Sequence, residues 1–261
     1  MRALNIAATG MQAQQLNVEV ISNNLANMNT AGFKRQRAEF QDLLYQNLER
    51  SGSASSDAGT VVSSGIQIGL GVRTGSVYRV MEQGNLQQTD SPYDLAIEGK
   101  GFFRIQMPNG ESNYSRSGSF ELSPECQIVT SEGFLVSPGI TVPQDATSVS
   151  ISQTGTVQVT LAGQTVPQQV GQLELANFFN EAGLESVGDN KYKETAASGG
   201  ATVGAPGANG FGTISQNFLE TSNVNPVSEI TNLITAQRAY EMNSKVISAA
   251  DEMLSTATNI K

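Results

Sequence analysis

Residues 1–28, MRALNIAATGMQAQQLNVEVISNNLANM, contain no proline and a single glycine, Gly10. Read in sevens, one position runs Leu4, Met11, Val18, Leu25 and a second runs Ala7, Gln14, Ile21, Met28. Seven of these eight are apolar and the residues between them are mostly polar, a period of 3.5 rather than 2. The spacing predicts a helix with one narrow apolar seam, a rod of roughly 40 Å at 1.5 Å per residue. The other end of the chain repeats the design. Asn225 is placed to cap a helix, Pro226 suits its first position, and Glu229 sits near the positive end of its dipole. Leu233, Tyr240, Ile247 and Leu254 then fall seven apart, with Ala236, Ala250 and Ala257 three residues after their partners and Asn243 as the exception.

Two arrangements satisfy these seams. The helices can pack on a common core, or they can pair with each other and then with the same helices of neighbouring copies. Small residues at one seam position favour close helix approach, which suits a crowded assembly.

Between the ends the period changes. Residues 51–65 are Ser- and Gly-rich and read as an extended linker. From about Ile66 to Glu220 short alternating runs predominate, among them Phe102–Met107, Val149–Ser152 and Thr156–Leu161. Pro108-Asn109-Gly110 predicts a type I′ hairpin turn, with weaker turns at Pro138-Gly139 and Thr154-Gly155. Ser198–Gly212 reads as a Gly-rich loop, and Thr213–Glu220 as a last strand leading into the C-terminal helix. The result is an antiparallel β domain, without the βαβ alternation of a parallel sheet.

Composition narrows the chemistry. The chain of 261 residues has no histidine, no tryptophan and one cysteine, Cys126. That excludes imidazole-based catalysis, imidazole metal ligands, an internal disulfide and a four-cysteine zinc site. The net charge is −9, which argues against nucleic acid or an anionic membrane surface as the main partner. Five Lys/Arg and four Asp/Glu lie in residues 1–50, and three against five in residues 220–261, leaving seven against fifteen in residues 51–219. The acidity therefore belongs to the β-rich middle. The first thirty residues contain neither a signal-peptide core nor a membrane span, so a secreted destination needs another route.

No motif points to catalysis or to a cofactor. Gly69–Gly75 has the wrong spacing for a dinucleotide loop, and no Gly-Lys-Ser/Thr follows. Asp90, Asp94 and Glu98 read as a solvated face rather than a glycosidase pair. Cys126 stands in a polar turn with no neighbouring base. Gly99-Lys100-Gly101 reads as a tight approach before a strand. Lys34-Arg35-Gln36-Arg37 reads as a small surface cluster answered by Glu39 and Asp42.

The stretch after the first helix, Ser22-Asn23-Asn24-Leu25-Ala26-Asn27-Met28-Asn29-Thr30-Ala31-Gly32-Phe33-Lys34, resembles the signature of bacterial flagellar rod and hook axial proteins. Asn23, Asn24, Leu25, Ala26, Asn27, Thr30, Gly32, Phe33 and Lys34 carry it. The asparagines end a helix by competing for its backbone, and Gly32 permits a turn that Phe33 anchors. The similarity continues through Arg35–Gln46, Gly65–Arg73, Gln83–Thr89, Asp94–Phe103, Tyr114–Phe120, Gly183–Ser186, Glu220–Asn225 and Gln237–Lys245. Segment Arg35–Gln46 is most similar to the distal rod type, ahead of the proximal rod protein of comparable length and of hook proteins, which carry a larger middle. One departure is Pro124-Glu125-Cys126-Gln127, where relatives tend to have an Asn-Gly-type turn.

The resemblance implies an α+β chain in which residues 1–46 and 221–261 form a coiled-coil inner domain. Residues 47–65 are then a linker that stiffens the assembly, and 66–220 a β-rich outer domain. It implies a helical homopolymer, a hollow drive shaft carrying torque to the hook around an export channel, with no catalysis and no cofactor. Leu4, Met11, Val18, Ile21, Leu25, Leu233, Tyr240, Ile247 and Leu254 would carry assembly. The implied partners are copies of the chain, proximal rod proteins, hook or hook-junction subunits, the P- and L-ring proteins, and the type III export apparatus that delivers it to the basal body without a cleaved signal. A secreted carboxylate-based polysaccharide hydrolase would share the acidity and the glycines, but it has no use for two heptad ends.

Overall fold

The computed structural model describes residues 2–49, 65–164 and 166–259. Over these residues two long helices flank twenty short strands, an α+β chain. They group into two compact units. One takes the described residues of Met1–Leu25, Gln36–Tyr78 and Asn225–Lys261, and the other Ala26–Arg35 and Arg79–Val224.

The first unit holds α1 (Arg2–Ala26), α2 (Pro226–Asn259), β1 (Gln36–Asp42), β2 (Tyr45–Glu49), β3 (Ile66–Gly69) and β4 (Val72–Arg79). Strand β1 pairs with β4, and β2 with β3. At 34 residues α2 runs roughly 50 Å. Its start is capped as the sequence predicts: Asn225 Oδ1 accepts from the amides of Val227 (3.1 Å) and Ser228 (3.3 Å). Of the linker expected over 47–65, residues 50–64 lie outside the described residues, and Asn47–Glu49 end β2 opposite Ile66 and Gln67.

The second unit holds the remaining sixteen strands. They are β5 (Leu86–Gln88), β6 (Leu95–Glu98), β7 (Phe102–Gln106), β8 (Ser112–Ser115), β9 (Phe120–Leu122), β10 (Ile128–Thr130), β11 (Leu135–Val136), β12 (Ala146–Ile151), β13 (Thr156–Leu161), β14 (Gln168–Gln172), β15 (Leu175–Asn177), β16 (Glu185–Gly188), β17 (Lys191–Lys193), β18 (Thr202–Gly204), β19 (Thr213–Gln216) and β20 (Phe218–Glu220). The largest sheet runs β16-β17-β8-β7-β11-β10-β9, with β15 joining β7 to β18. A β12-β13-β14 sheet and the pairs β6-β19 and β5-β20 complete the unit. The pairings among these strands are antiparallel.

Strand β7 explains why both faces of the large sheet are dry. Successive side chains on a strand point to opposite faces. Phe103 joins Leu95, Ile97, Phe120, Ile128, Val136 and their neighbours in one cluster. Phe102 joins Tyr114, Phe178, Leu184 and Tyr192 in another. Edge-on aromatic contacts knit each side, Phe103–Phe120 at 5.0 Å and Tyr114–Phe178 at 4.8 Å between centroids.

Three details differ from the sequence reading. The segment 213–220 is two strands, because Asn217 adopts φ +63° between β19 and β20. The Gly-rich loop 198–212 contains β18, which pairs with β15. And the turn at Pro108-Asn109-Gly110 is not type I′. Only Gly110 has positive φ (+83°); Asn109 does not, because Pro108, with its fixed negative φ, takes the first central position of a turn that starts at Met107. Here Gly110 N–H donates to Met107 O, and Met107 N–H to Glu111 O, the pattern of a type I turn closed by one left-handed residue.

That pattern recurs at 152–156 with Gly155 (φ +77°) and at 130–134 with Gly133 (φ +86°). It recurs once more at 123–127, where the left-handed position is Cys126 at φ +62°. A side chain with a Cβ is strained there; glycine is not. Cys126→Gly is expected to raise stability by about 0.5–1 kcal/mol, the left-handed penalty outweighing glycine's added unfolded-state entropy. Urea denaturation checks the direction.

Tyr192 is 2% exposed, and burial, the leading cause, pushes its phenol above the usual 10.0, against the Arg79 and Arg116 charges that pull it down. A folded value above the unfolded one means stability that is fully present below pH about 10 and is lost as pH rises through the folded value. Tyr192→Phe removes that proton, so its stability is expected to fall less steeply between pH 9 and 11, measured by urea midpoints at each pH.

Candidate assembly interface

The two helices of the first unit lie side by side and antiparallel. Asn24 Nδ2 donates to Glu229 Oε2 (3.3 Å), Val18 and Glu19 line one groove with Gln237, Tyr240 and Glu241, and Gly10 faces Asn243. A Cβ on Gly10 would stand 2.9 Å from Asn243 Nδ2. The seam's exception therefore sits opposite the only glycine of the first helix.

What the pair buries differs from what the seams anticipate. On α1 the buried residues are Ala7, Ala13, Val20, Ile21 and Asn24. On α2 they are Glu229, Ala236 and Ala250, a stripe of small or polar residues on the heptad that Asn243 continues. Of the nine residues expected to carry assembly, only Ile21 is buried within the chain. Leu4, Met11, Val18, Leu25, Leu233 and Ile247 are half-buried, while Tyr240 (44%) and Leu254 (43%) are exposed. Val227, Ile230, Ile234, Met242, Val246 and Met253 are exposed as well. The groove between the helices, with Val18 and Tyr240 on its walls, is an open cavity of about 350 Å³.

The asparagine-rich motif divides its work. Asn24 is buried, and its side chain behaves like a strand partner for Gln36: Oδ1 accepts from Gln36 N–H (2.8 Å) and Nδ2 donates to Gln36 O (2.8 Å). This ties the start of β1 to α1. Asn23 and Ala26 are exposed and Leu25 and Asn27 half-buried. Thr30 Oγ1 donates to Asn27 Oδ1 (3.1 Å), closing the turn that ends the helix.

In the second unit, Gly32, Phe33 and Lys34 are all buried. Gly32 has φ +69°, its N–H donates to Glu220 O (2.8 Å), and a Cβ there would lie 2.6 Å from Ser117 N. Only glycine satisfies both demands. Lys34 is not the surface charge that the sequence reading makes it, and Glu39 and Asp42 do not answer it. Its Nζ, 1% exposed, donates to Glu220 Oε1 (2.5 Å) and Glu82 O (2.7 Å). Glu220 also accepts from Arg116 Nε (3.0 Å) and Gly84 N–H (2.9 Å). Arg116 Nη1 reaches Gly99 O (2.9 Å) and Gly101 O (2.6 Å). Asn223 completes the knot, accepting from Arg35 N–H and donating to Val80 O and Glu82 O.

Burial is the main cause that lowers the Lys34 pKa below 10.5; the Glu220 carboxylate opposes the shift and Arg116 adds to it. Glu220, Arg116 and Asn223 were missed as a site because they lie 82–189 residues from Lys34 in the chain. The available signal was a lysine and a glutamate each embedded in a motif with no use for a surface charge. Among the described residues no group of carboxylates, cysteines and histidines is placed to hold a metal, and no helix is long and apolar enough to cross a membrane.

Family models match at three places. Residues 4–34 match "Flagella basal body rod protein", residues 96–159 match "Flagellar hook protein FlgE/F/G D1 domain", and residues 215–260 match "Flagellar basal body rod FlgEFG protein C-terminal". The chain is thus of the flagellar axial class at both ends and in its β-rich middle. Over its whole length it is 63% identical to the flagellar basal-body rod protein FlgG of Caulobacter vibrioides, covering all of that protein. It is 50% identical to FlgG of Agrobacterium fabrum, with full coverage of both chains, and 38% identical to FlgG of Bacillus subtilis, covering 99% of it. The chain belongs to the FlgG family of flagellar basal-body rod proteins.

Removing Glu220's charge leaves two buried cations without their carboxylate, and breaking a buried pair costs about 3–5 kcal/mol. Glu220→Gln is expected to lose that much in urea denaturation, while the exposed pair Lys193–Glu111 (2.8 Å) changes stability by under about 1 kcal/mol when either member is replaced.

Proposed function

We infer that the chain is a structural subunit of the flagellar distal rod, a basal-body component that assembles with copies of itself. The observation that carries this reading is the state of the helices. They are long, they pair through alanine and asparagine, and they leave Ile230, Ile234, Tyr240, Met242, Val246, Met253 and Leu254 in water. A monomer gains nothing from such a surface, whereas identical subunits stacked by a rotation that does not close would bury it along a filament.

On this reading Leu4, Met11, Val18, Ile21, Leu25, Leu233, Tyr240, Ile247 and Leu254 form coiled-coil seams completed by neighbouring copies. The polymer is a rigid hollow shaft that passes torque to the hook and encloses the export channel. It meets proximal rod proteins below, hook or hook-junction subunits above, and the P- and L-ring proteins around it as it spans the periplasm. The type III export apparatus delivers the chain without a cleaved signal. No residue is assigned a catalytic role.

Ile234 and Met242 are 45% and 60% exposed, so polar replacement costs the monomer little, within about 0.5 kcal/mol each. Ile234→Ser/Met242→Ser is expected to keep the monomer's thermal midpoint and raise the concentration needed for polymerisation at least about tenfold, as lost burial of two large side chains predicts. Negative-stain images and sedimentation of the two proteins measure this. Straight tubes from the double variant at the wild-type threshold would refute the assignment.

A further inference from the structure

The second unit contains a cavity of about 190 Å³ on whose walls stand Lys34, Lys100, Arg116 and Glu181 with Met81 and Phe102. A site for one water needs only ~10–15 Å³, so there is room for a small hydrated ion. The buried charges behind it do not balance. Lys34 and Arg116, 1% and 4% exposed, share one fully buried carboxylate, Glu220. Arg116 commits Nε to Glu220 and Nη1 to the carbonyls of Gly99 and Gly101, but Nη2 donates to no group among the described residues. That nitrogen is not one of the fully enclosed polar atoms without a partner, so it keeps access to water and can take an acceptor from a ligand in the cavity that Arg116 lines. Lys100 adds an exposed ammonium to the cavity rim, and the half-buried Glu181 is the single carboxylate on its wall.

We propose that this cavity is an oxyanion site, in which a carboxylate or phosphate accepts from Arg116 Nη2 and pairs with Lys100, with Glu181 as the competing internal anion. A planar guanidinium whose other nitrogens are already fixed offers the oxyanion a preset direction, and the excess positive charge supplies the attraction. The oxyanion can come from solution, or from an Asp or Glu of a neighbouring copy's acidic middle region.

The test is the thermal midpoint of the full chain, kept dilute enough to remain monomeric, titrated with sodium phosphate against sodium chloride at matched ionic strength. Binding to the folded state raises the midpoint saturably. The expected result is a phosphate-specific rise in the wild type. Apparent affinity should weaken about two- to fivefold in Lys100→Ala and strengthen by a similar factor in Glu181→Gln, the range that one partly exposed charge contributes. Both residues lie on the cavity rather than in the buried triad, so neither variant depends on rebuilding it. A wild type that responds to phosphate as to chloride, or three proteins with the same phosphate affinity, would overturn the proposal.

Polymerisation then separates the two sources; this arm alone rests on the rod reading. Phosphate that raises the assembly threshold of the wild type more than that of Lys100→Ala identifies a neighbour's carboxylate as the occupant. An assembly threshold indifferent to phosphate, after a positive monomer titration, identifies a free anion.

Discussion

The second unit turns on one buried carboxylate. Glu220 takes hydrogen bonds from Lys34, Arg116 and the Gly84 amide with its side chain, and from the Gly32 amide with its backbone. Three segments far apart in the chain, at 32–34, 84 and 116, are thereby fixed to one point at the end of β20. Replaced as a set by apolar residues of equal volume, such a cluster would cost little stability. What the charges add is direction. Lys34 reaches its two acceptors only if the turn at Gly32 is left-handed and its amide faces the strand. Arg116 reaches the carbonyls of Gly99 and Gly101 only if the backbone of both is bent into the positive-φ region (φ +104° and +136°). The cluster therefore specifies the path of the chain where the asparagine-rich motif ends, which a greasy contact of the same size would leave free.

The helical unit is built on the opposite principle. Apart from Val20 and Ile21 of α1, its buried helix residues are small or polar, with one polar clasp through Asn24 and an open groove, so little apolar surface holds the two helices to each other. Alanines at 236 and 250 allow close approach and leave the bulky side chains of α2 pointing elsewhere. A pair of helices of this kind suits a subunit whose cohesion is completed by its neighbours, which the proposed rod assembly would provide as copies of the same chain.

The parts of this design that were legible in the sequence are those governed by local rules. The 3.5-residue repeat located both helices, Asn225-Pro226 located the start of α2, and alternation located β7, β12 and β13 to within a few residues. The motif around Gly32 was visible as a motif. What it does was not, because its partners are 85 to 188 residues away and a single sequence carries no pairing information for Ser117, Glu220 or Asn223. Lys34 shows the size of the error this causes. Among Arg35 and Arg37 it looks like one surface charge in three, yet it is among the most buried large side chains of the chain. The turn at Pro108-Asn109-Gly110 was misread for a local reason: Asn-Gly suggests two left-handed residues, but the proline before it moves the turn one residue earlier.

The heptads were read correctly as helical and incompletely as contacts. A seam drawn from Leu233, Tyr240, Ile247 and Leu254 assumes that the largest apolar residues meet first. In the chain itself the smaller set, Ala236, Asn243 and Ala250, lies toward α1, and the larger set is left half in water. Hydrophobic periodicity reports which faces of a helix are buried in the end, summed over every partner the helix will have. It carries no label for which partner covers which face. In a protein that folds alone the two questions have one answer. In a subunit of a polymer they separate, and the face with the strongest apolar pattern is then the one a single chain leaves uncovered.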